Sequence, residues 1–451
     1  MIEGDREECP ENMTEIRINS RFIYVLRPEN VIRVVLVIFA IVFLLAPIDV
    51  QGEVSLKAYL YIGLSILSFL LGCSAIFVPK ADDRCMIFQV DTLRLRKTYR
   101  TFFYLSIIAL AFKFYDTIFI RGVKYSLTAS TYDNYDAMAE GAGNIFSIIS
   151  SILIFSTYIP LTINLLAKNL NGIPQKICGW IFICLNMADS VGSGSRFMLV
   201  RPLAYILLIL LASDTLHFNI THSFKKFAFC VIFVLIIGNI IGGMYIRRLN
   251  DMSRSPINAI KGVSEGYARY VPAKAEYVEL MESSEDKWYF NYLFTYANVS
   301  QYITHAVFEF PAVMDYVDRQ GDYYYGLSTF MVFTKFFTKL FNLDYDINRE
   351  ISSHNLRNGI WSTFFFSWYL DFGWFGIILM WPLGLFAKWV WKKVYVDLDI
   401  LYLPLLLFFT MVWSLILQLN YIQGSGTYAI CMFLFLGICF RQNIYNVKYI
   451  N

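Results

Sequence analysis

Residues 58–78 of the chain are AYLYIGLSILSFLLGCSAIFV, an apolar run without a charged residue. An α-helix rises about 1.5 Å per residue, so a run of this length crosses the roughly 30 Å hydrocarbon core of a bilayer. Similar runs occur along most of the chain. The stretch therefore predicts a membrane-spanning helix, and its repetition predicts a polytopic helical membrane protein.

The composition of the whole chain supports this interpretation. Of its 451 residues, 57% are hydrophobic, 18% are aromatic and only 16% are charged, and the mean hydropathy is +0.50. Soluble domains carry about 25% charged residues. These values exclude a disordered protein, a coiled coil and an ordinary soluble enzyme. The net charge of +3 gives no sign of a nucleic-acid partner.

Ten apolar stretches are candidates for membrane-spanning helices, which predicts an all-α transmembrane bundle of about ten spans. They cover residues 31–48, 58–78, 101–120, 144–167, 177–190, 197–212, 227–246, 371–391, 399–419 and 427–440. The fifth, sixth and tenth stretches are shorter than the others.

The distribution of basic residues predicts the orientation. With the N-terminus inside, the cytoplasmic segments hold 19 Lys and Arg residues, whereas the short outer loops hold four. Basic residues accumulate on the cytoplasmic side of membrane proteins, so both termini are predicted to be cytoplasmic. The predicted organisation is a cytoplasmic segment (1–30), spans one to seven (31–246), a periplasmic loop (247–370), spans eight to ten (371–440) and a cytoplasmic tail (441–451).

The long outer loop is predicted to contain amphipathic helices. Aromatic and aliphatic residues recur in it at helical spacing. One series is Trp288, Tyr292, Tyr296, Val299, Ile303 and Val307, and the other is Leu327, Phe330, Phe333, Phe337 and Leu340. Such helices pack on one another or lie flat on the membrane surface. We therefore expect a folded helical cap on the outer face of the bundle.

A glycine- and serine-rich turn, Gly192-Ser193-Gly194-Ser195, leads into Arg196 at the start of the sixth span, and Arg201 follows within that span. Backbone N–H groups and a guanidinium at a helix start suit a phosphate or pyrophosphate. An arginine inside a span usually faces a cavity or a partner. The structural alternative is a tight turn with an arginine that snorkels to the membrane surface.

Arg247, Arg248 and Arg254 follow the seventh span on the predicted outer side, where the positive-inside rule expects few basic residues. They would suit anionic headgroups or a lipid-linked pyrophosphate. The alternative is headgroup anchoring, or pairing with Asp251.

A third group lies just before the eighth span. It comprises His354, Arg357, Asn358, Tyr369 and Asp371. His354 could act as a general base near neutral pH. In the alternative interpretation Arg357 is the functional residue and His354 only packs.

Metal and nucleotide sites are not indicated. The eight cysteines lie mostly in apolar runs, and neither they nor the four histidines have metal-ligand spacing. No Walker A sequence is present. We expect neither a metal nor another cofactor.

These features together resemble the bacterial O-antigen polymerases of the Wzy type. The shared features are ten or more spans, a glycine/serine–arginine turn before a mid-chain span, and one large outer loop. The stretch Asn358…Thr363…Tyr369-x-Asp371-Phe372-Gly373-x-x-Gly376 is similar to the family's aromatic Asp-Phe-Gly segment. His354-Asn355 before it is also similar to the related O-antigen ligases, although the spacing here is longer.

The resemblance implies a GT-C-like fold and a metal-independent glycosyltransferase in the bacterial inner membrane. Such an enzyme transfers a glycan on undecaprenyl pyrophosphate to a new lipid-linked repeat unit on the periplasmic side. His354, Arg196 and Arg357 would be catalytic. Substrate-binding residues would be Arg201, Arg247, Arg248, Arg254, Asn358, Tyr369 and Asp371. The partners would be the lipid-linked oligosaccharide and membrane lipid; whether a chain-length regulator binds stays open.

Two other functions stay open at the level of the sequence. An O-antigen ligase shares the site but transfers glycan to lipid A-core. A flippase or other transporter of lipid-linked oligosaccharides usually lacks a large folded outer domain, so residues 247–370 argue against it. A membrane acyltransferase fits less well, because it would need a histidine deep within the membrane.

Overall fold

The structure is a computed structural model, and it describes residues 12–51, 55–78, 85–123, 144–192, 196–213, 215, 260, 270–341 and 362–450. The predicted seventh span, 227–246, lies outside these residues. The described part is mostly helical, which confirms a helical protein. It also contains a three-stranded sheet that the all-α prediction missed.

The elements follow one another in this order. The N-terminal part contains β1 (Met13–Asn19), α1 (Ser20–Val25), α2 (Pro28–Leu45), α3 (Leu56–Ser74), β2 (Cys85–Asp91) and α4 (Thr92–Phe114), which continues as a π-helical turn (Tyr115–Ile120). The middle part contains α5 (Ile145–Leu153), a 3₁₀ turn (Ile154–Thr157), α6 (Tyr158–Leu166), α7 (Ile173–Gly192), α8 (Arg196–Ala212), α9 (Ala275–Glu282), α10 (Phe290–Gln320) and α11 (Met331–Leu340). The C-terminal part contains α12 (Phe364–Phe372), a 3₁₀ turn (Gly373–Phe375), α13 (Gly376–Tyr395), a 3₁₀ turn (Ile400–Tyr402), α14 (Leu403–Ser414), α15 (Ser425–Cys439) and β3 (Ile444–Ile450).

Five helical stretches among the described residues are long and apolar enough to cross a membrane. They are Pro28–Leu45, Leu56–Ser74, Thr92–Ile120, Ile145–Leu166 and Phe364–Tyr395. Shorter apolar helices cover Ile173–Ala188, Val200–Ala212, Ile400–Ser414 and Ser425–Cys439. The surface of α2 shows why these helices need lipid, since Val37, Ile38 and Ile41 are each more than half exposed. The total of about ten spans stays a prediction.

The sheet joins three distant parts of the chain. β2 is the central strand and pairs antiparallel with β1, Met13 lying opposite Asp91, and with β3, Cys85 lying opposite Ile450. The three strands, which precede α1, precede α4 and follow α15, therefore lie together on one face of the bundle, which we call the sheet face.

The long loop packs at the other end of α2. Ile48 forms a bridge with Ala273, and the Asp49 N–H donates to the Pro272 carbonyl at 2.8 Å. Tyr296 of α10 donates from its hydroxyl to the Leu45 carbonyl at the end of α2. The described part of the loop thus lies opposite the sheet face.

Helices are present where the spacing of apolar residues predicted them in the loop, and several residues of the two series are exposed. Tyr296 and Val299 are about half exposed, whereas the opposite side of the helix buries Gln301 and His305. On α11, Phe333, Phe337 and Leu340 are also exposed. These apolar faces point away from the protein core.

Close packing between α3 and α13 forms the centre of the bundle. A Cβ atom at Gly72 would lie 2.0 Å from the Trp381 carbonyl oxygen, and one at Gly384 would lie 2.0 Å from that of Phe69. Small residues of this kind let helix backbones approach closely in membrane proteins. The Cys73 thiol donates to the Gly384 carbonyl across the same contact at 3.3 Å.

Candidate functional site

The predicted residue Arg201 lies at the centre of the best-defined polar cluster of the bundle. It is the sixth residue of α8, about 7.5 Å along the helix axis from Arg196 by helical rise. Only 6% of Arg201 is exposed. The structural alternative of a snorkelling arginine is therefore wrong for this residue, because its guanidinium is enclosed by protein.

Four residues from two other segments of the chain surround this guanidinium. Its Nη1 donates to the Ser425 hydroxyl at 3.2 Å, and its central carbon lies 5.0 Å from the centroid of the Phe155 ring. The hydroxyls of Tyr158 and Tyr421 lie within electrostatic reach of it. We call Arg201, Phe155, Tyr158, Tyr421 and Ser425 the Arg201 cluster.

Interruptions of regular helices bring the residues of the Arg201 cluster together. The 3₁₀ turn Ile154–Thr157 interrupts the fourth long helix and brings Phe155 and Tyr158 to the same side. Such turns within a helix often mark functional positions. The Tyr158 ring is fixed edge-on against Tyr205, whose hydroxyl is 2.8 Å from that of Thr162. The aromatic side of the cluster is thus rigidly packed.

The other side of the cluster is a non-helical segment between two short helices. The predicted ninth span reaches residue 419, but α14 ends at Ser414 and residues 415–424 form turns before α15. The twelve residues of α14 are only about 18 Å long, less than a bilayer core. Irregular backbone at membrane depth is tolerated where protein buries it or where it lines a cavity.

Several polar atoms of this segment have no hydrogen-bond partner within the described part of the chain. They include the Gln418 Oε1 and the Asn420 Nδ2, and the Nε1 of Trp413, at the end of α14, also has none. The Arg201 Nε likewise has none. Buried polar atoms are nearly always hydrogen bonded, so these donors and acceptors are available to a bound polar group.

The ion pairs of the buried cations also point to a bound ligand at Arg201. Among the described buried cations, Lys388 contacts Glu29 at 2.8 Å and Arg121 contacts Asp116 at 2.9 Å, whereas Arg201 has no carboxylate partner. A buried charge costs several kcal/mol. One cation–π contact returns only about 0.5–2 kcal/mol. An anionic ligand would supply the missing compensation.

Asp371 and Tyr369 serve the fold in the structure. Asp371 is fully buried and accepts from the Ser328 N–H at 2.9 Å and the Thr329 N–H at 2.7 Å. Tyr369 is also fully buried and donates to Asp318, which pairs in turn with Lys57. Both side chains are occupied by internal partners, and contact of either with substrate stays a prediction.

The glycine of the Asp-Phe-Gly segment ends a helix. Gly373 has φ +52°, and a Cβ atom there would lie 2.6 Å from the Tyr323 ring. The segment is therefore a helix break that receives the Tyr323 side chain. It separates α12 from α13, and α12 begins seven residues before the predicted boundary at 371.

Hydrogen bonds connect Asp371 to the Arg201 cluster. The Gln423 amide donates to the Ser328 carbonyl at 3.0 Å, and the Ser328 N–H donates to Asp371. Gln423 is two residues from Ser425, the partner of Arg201. The sixth span and the Asp-Phe-Gly segment, distant in sequence, thus meet through residues 423–425.

The remaining predicted site residues are not placed. Arg247, Arg248, Arg254, His354, Arg357 and Asn358 lie outside the described residues, and for Arg196 the structure describes the start of α8 but not the side chain. Their convergence on one cavity stays a prediction. Within the described ranges, no group of three or more His, Cys, Asp or Glu side chains could hold a metal ion.

Sequence reasoning missed Phe155, Tyr158, Tyr421 and Ser425. The first two are ordinary aromatic residues in an apolar stretch. A signal for the others is visible in residues 418–426, QLNYIQGSG, where amides, serine and glycine interrupt two apolar runs.

Comparison with known proteins gave no significant match to a family model, to a curated protein or to a solved structure.

Proposed function

We propose that the protein is a polymerase of polysaccharide repeat units in the bacterial inner membrane. It would transfer a glycan chain from undecaprenyl pyrophosphate to a new lipid-linked repeat unit on the periplasmic side. The observation that carries this proposal is Arg201, a buried cation without a carboxylate partner among the described residues. The Wzy-like motifs supply the reaction class.

The reaction leaves a pyrophosphate group, which carries negative charge. The guanidinium of Arg201 and the nearby hydroxyls of Tyr158, Tyr421 and Ser425 are all hydrogen-bond donors, and phosphate oxygens accept such bonds. Donors that are fixed before the reaction stabilise charge that develops in the transition state. The Arg201 cluster would therefore bind the departing pyrophosphate.

In the proposed step the acceptor hydroxyl oxygen forms the new bond to the anomeric carbon, and the bond from that carbon to pyrophosphate breaks. His354 accepts the proton of the hydroxyl, and Arg196 and Arg357 assist the leaving group. General-base assistance contributes roughly 10²–10⁴-fold to rate. The remaining arginines, Arg247, Arg248 and Arg254, would hold the lipid-linked pyrophosphate at the outer leaflet.

The decisive test is Arg201→Lys, with Arg17→Lys as the control. Lysine keeps the charge but cannot reproduce the bidentate guanidinium, so long chains should collapse to single repeats. Arg17 is exposed on β1 and pairs with Glu15, and its replacement should leave the polysaccharide ladder unchanged. The ladder is read from a gel after complementation of a deletion strain, with protein levels matched.

The same gel separates the rival functions. Deletion of the gene should leave single-repeat glycoforms. Complete loss of attached glycan would identify a ligase instead, and an unchanged ladder would exclude both. A full ladder from Arg201→Lys would remove the Arg201 cluster from the mechanism.

Binding provides a readout that does not depend on activity. A polyprenyl pyrophosphate should raise the melting temperature of the purified protein, since a ligand that binds only the folded state stabilises it. The shift should be lost in Arg201→Lys and kept in Arg17→Lys.

A further inference from the structure

A second basic site lies near the sheet face, far along α4 from the predicted outer loops. A cavity of about 350 Å³ opens between the first turns of α4 and the start of α7. Its lining includes Arg96, Arg100, Phe103, Tyr104, Asn171 and Gln175. We call it the α4–α7 groove. Its volume lies within the range of about 300–1,000 Å³ for small-molecule sites.

The two arginines have no acidic partner among the residues that the structure describes. Arg96 and Arg100 are one helical turn apart, and like charges at this spacing repel each other on an isolated helix. Arg96 donates to the Leu170 carbonyl at 3.4 Å, but neither side chain forms an ion pair with a described carboxylate. Their neighbour Arg94 points elsewhere and lies 3.6 Å from Asp91. An anion between Arg96 and Arg100 would relieve their repulsion.

The frame of the groove is rigid. The Tyr99 hydroxyl donates to the Gln175 carbonyl at 2.9 Å, and the Asn171 amide donates to Asn164 at 2.9 Å. The Phe103 ring, which lines the groove, packs against the Phe182 ring of α7 with centroids 5.2 Å apart. The site therefore does not depend on a flexible loop to hold its shape.

Apolar surface continues from the groove. On α4, Tyr104 and Ile107 are exposed, and on α7, Ile177 and Ile181 are exposed. A ligand that fits both surfaces has a charged head and an apolar tail. This combination favours a phospholipid over a free phosphate.

The position along the bundle agrees with a lipid headgroup. Asp91, the last residue of β2, caps α4 by accepting from the Leu93 N–H at 2.8 Å. Arg96 is thus about one turn from the sheet face, which the charge count assigns to the cytoplasm. Basic pockets between helices on this side bind anionic headgroups.

We propose that the α4–α7 groove binds the phosphate of an anionic phospholipid from the leaflet on the sheet face. Arg96 and Arg100 hold the phosphate oxygens, the amides of Asn171 and Gln175 face the rest of the headgroup, and the acyl chains lie along Tyr104 and Ile177. This site is independent of the Arg201 cluster and of the proposed glycosyl transfer.

The test measures binding of phosphatidylglycerol to the full chain in phosphatidylcholine nanodiscs. The variant is Arg96→Gln with Arg100→Gln, and the matched control is Arg94→Gln with Lys97→Gln, which removes the same charge from the same turns outside the groove. The groove variant should bind phosphatidylglycerol on the order of tenfold more weakly than the control. Equal weakening in both variants would overturn the proposal, because it would show attraction to the surface only.

Two further measurements test whether the lipid binds inside the groove and whether the ligand is a lipid. Gln175→Trp fills the groove, keeps both arginines and leaves the backbone carbonyl that Tyr99 uses, and it should also displace the lipid. Unchanged binding by this variant would contradict the proposal. Glycerol 3-phosphate should compete poorly, whereas displacement at concentrations similar to those of the lipid would identify a site for a soluble phosphate.

Discussion

The carboxylate of Asp371, in the Asp-Phe-Gly segment, fixes the position of the segment that contains Ser328 and Thr329. It holds the N–H groups of Ser328 and Thr329 and thereby ties residues 323–329 to α12. Replacing it leaves two buried donors without an acceptor, at a cost of about 1–3 kcal/mol each. Its effect on function would then be through the position of this segment.

We therefore expect Asp371→Ala to raise the rate of amide hydrogen exchange in residues 326–330. The control is Asp322→Ala, because Asp322 is exposed in the same loop. Exchange in the β1–β2 ladder serves as an internal reference and should not change. Unaltered protection of Ser328 and Thr329 would show that the clamp is dispensable.

The buried carboxyl of Asp399 should make the free energy of unfolding depend on pH. Burial raises the pKa of this carboxyl to about 6, although Arg441 and Lys393 oppose the shift. Its pKa in the unfolded chain is about 3.9. The folded state thus prefers the protonated form, and this stability is complete below about pH 4 and lost as the pH rises through about 6.

The expected loss is at most about 3 kcal/mol, from two pKa units at 1.36 kcal/mol each. Asp399→Asn should keep the protein stable over this interval, so its melting temperature should fall less between pH 5 and pH 7 than that of the wild type. Asp322→Asn is the control, since Asp322 is exposed and is not among the groups that shift the pKa of Asp399. Parallel pH curves for wild type and Asp399→Asn would refute the assignment.

At the scale of residues, the sequence predicts which charged side chains are functional candidates better than it predicts which residues pack around them. Arg201 stands out because an arginine inside an apolar run is costly wherever it lies. Tyr158 and Phe155 give no such signal, since aromatic residues are common throughout this chain. Which aromatic rings meet the guanidinium depends on the 3₁₀ turn Ile154–Thr157. Pro160 is a signal for this break that the sequence analysis did not use, because a proline cannot donate to the Ser156 carbonyl four residues earlier.

At the scale of elements, the contact between α3 and α13 depends on two glycines. Gly384→Ala would place a methyl group 2.0 Å from the Phe69 carbonyl oxygen and force the helices apart. Overpacking of this kind costs about 1–3 kcal/mol. We expect a lower melting temperature and less folded protein in the membrane.

The control lies on α3 itself. A Cβ atom at Gly63 meets nothing within 4 Å, so Gly63→Ala changes helix propensity equally without a steric clash. Stability equal to that of Gly384→Ala would show that the glycine contact has no special role.

Helix boundaries show where hydropathy alone fails. Apolar composition locates α2 and α3 to within a few residues, because each must be apolar wherever it faces lipid or core. It misses the first nine residues of α4, which begins at Thr92 with charged residues. It does not reveal that α14 ends at Ser414, since Leu415, Ile416 and Leu417 are as apolar as the helix before them. The turn that follows is stabilised by Asn420, whose side chain accepts from the Ile422 N–H at 3.1 Å.

At the scale of the whole molecule, the sheet could not be predicted from local pattern. Its strands come from the two ends of the chain and from residues 85–91, and each strand is too short and too mixed to stand out in a membrane protein. The positive-inside rule nevertheless predicted that these three segments share one side. The sheet agrees with that prediction, because three strands that hydrogen bond to one another must lie on the same face of the bundle.

The orientation itself is the last prediction. The sheet and the basic residues near it lie on one face, and residues 270–274 pair with the end of α2 on the other. If the 19-to-4 distribution of Lys and Arg sets the orientation, reporters inserted at Gly262 and Asn342 should be active only outside the cytoplasm. Reporters fused before Met1 and after Asn451 should be active only inside.

β1, near the N-terminus, and β3, near the C-terminus, both pair with β2. The reporters at the two ends must therefore report the same side of the membrane, even if the absolute orientation is reversed. Reversal would place the Arg201 cluster near the cytoplasmic leaflet and remove the periplasmic polymerase mechanism. Opposite locations for the N- and C-terminal reporters would contradict the sheet itself. The pair of measurements therefore tests the fold and the proposed function separately.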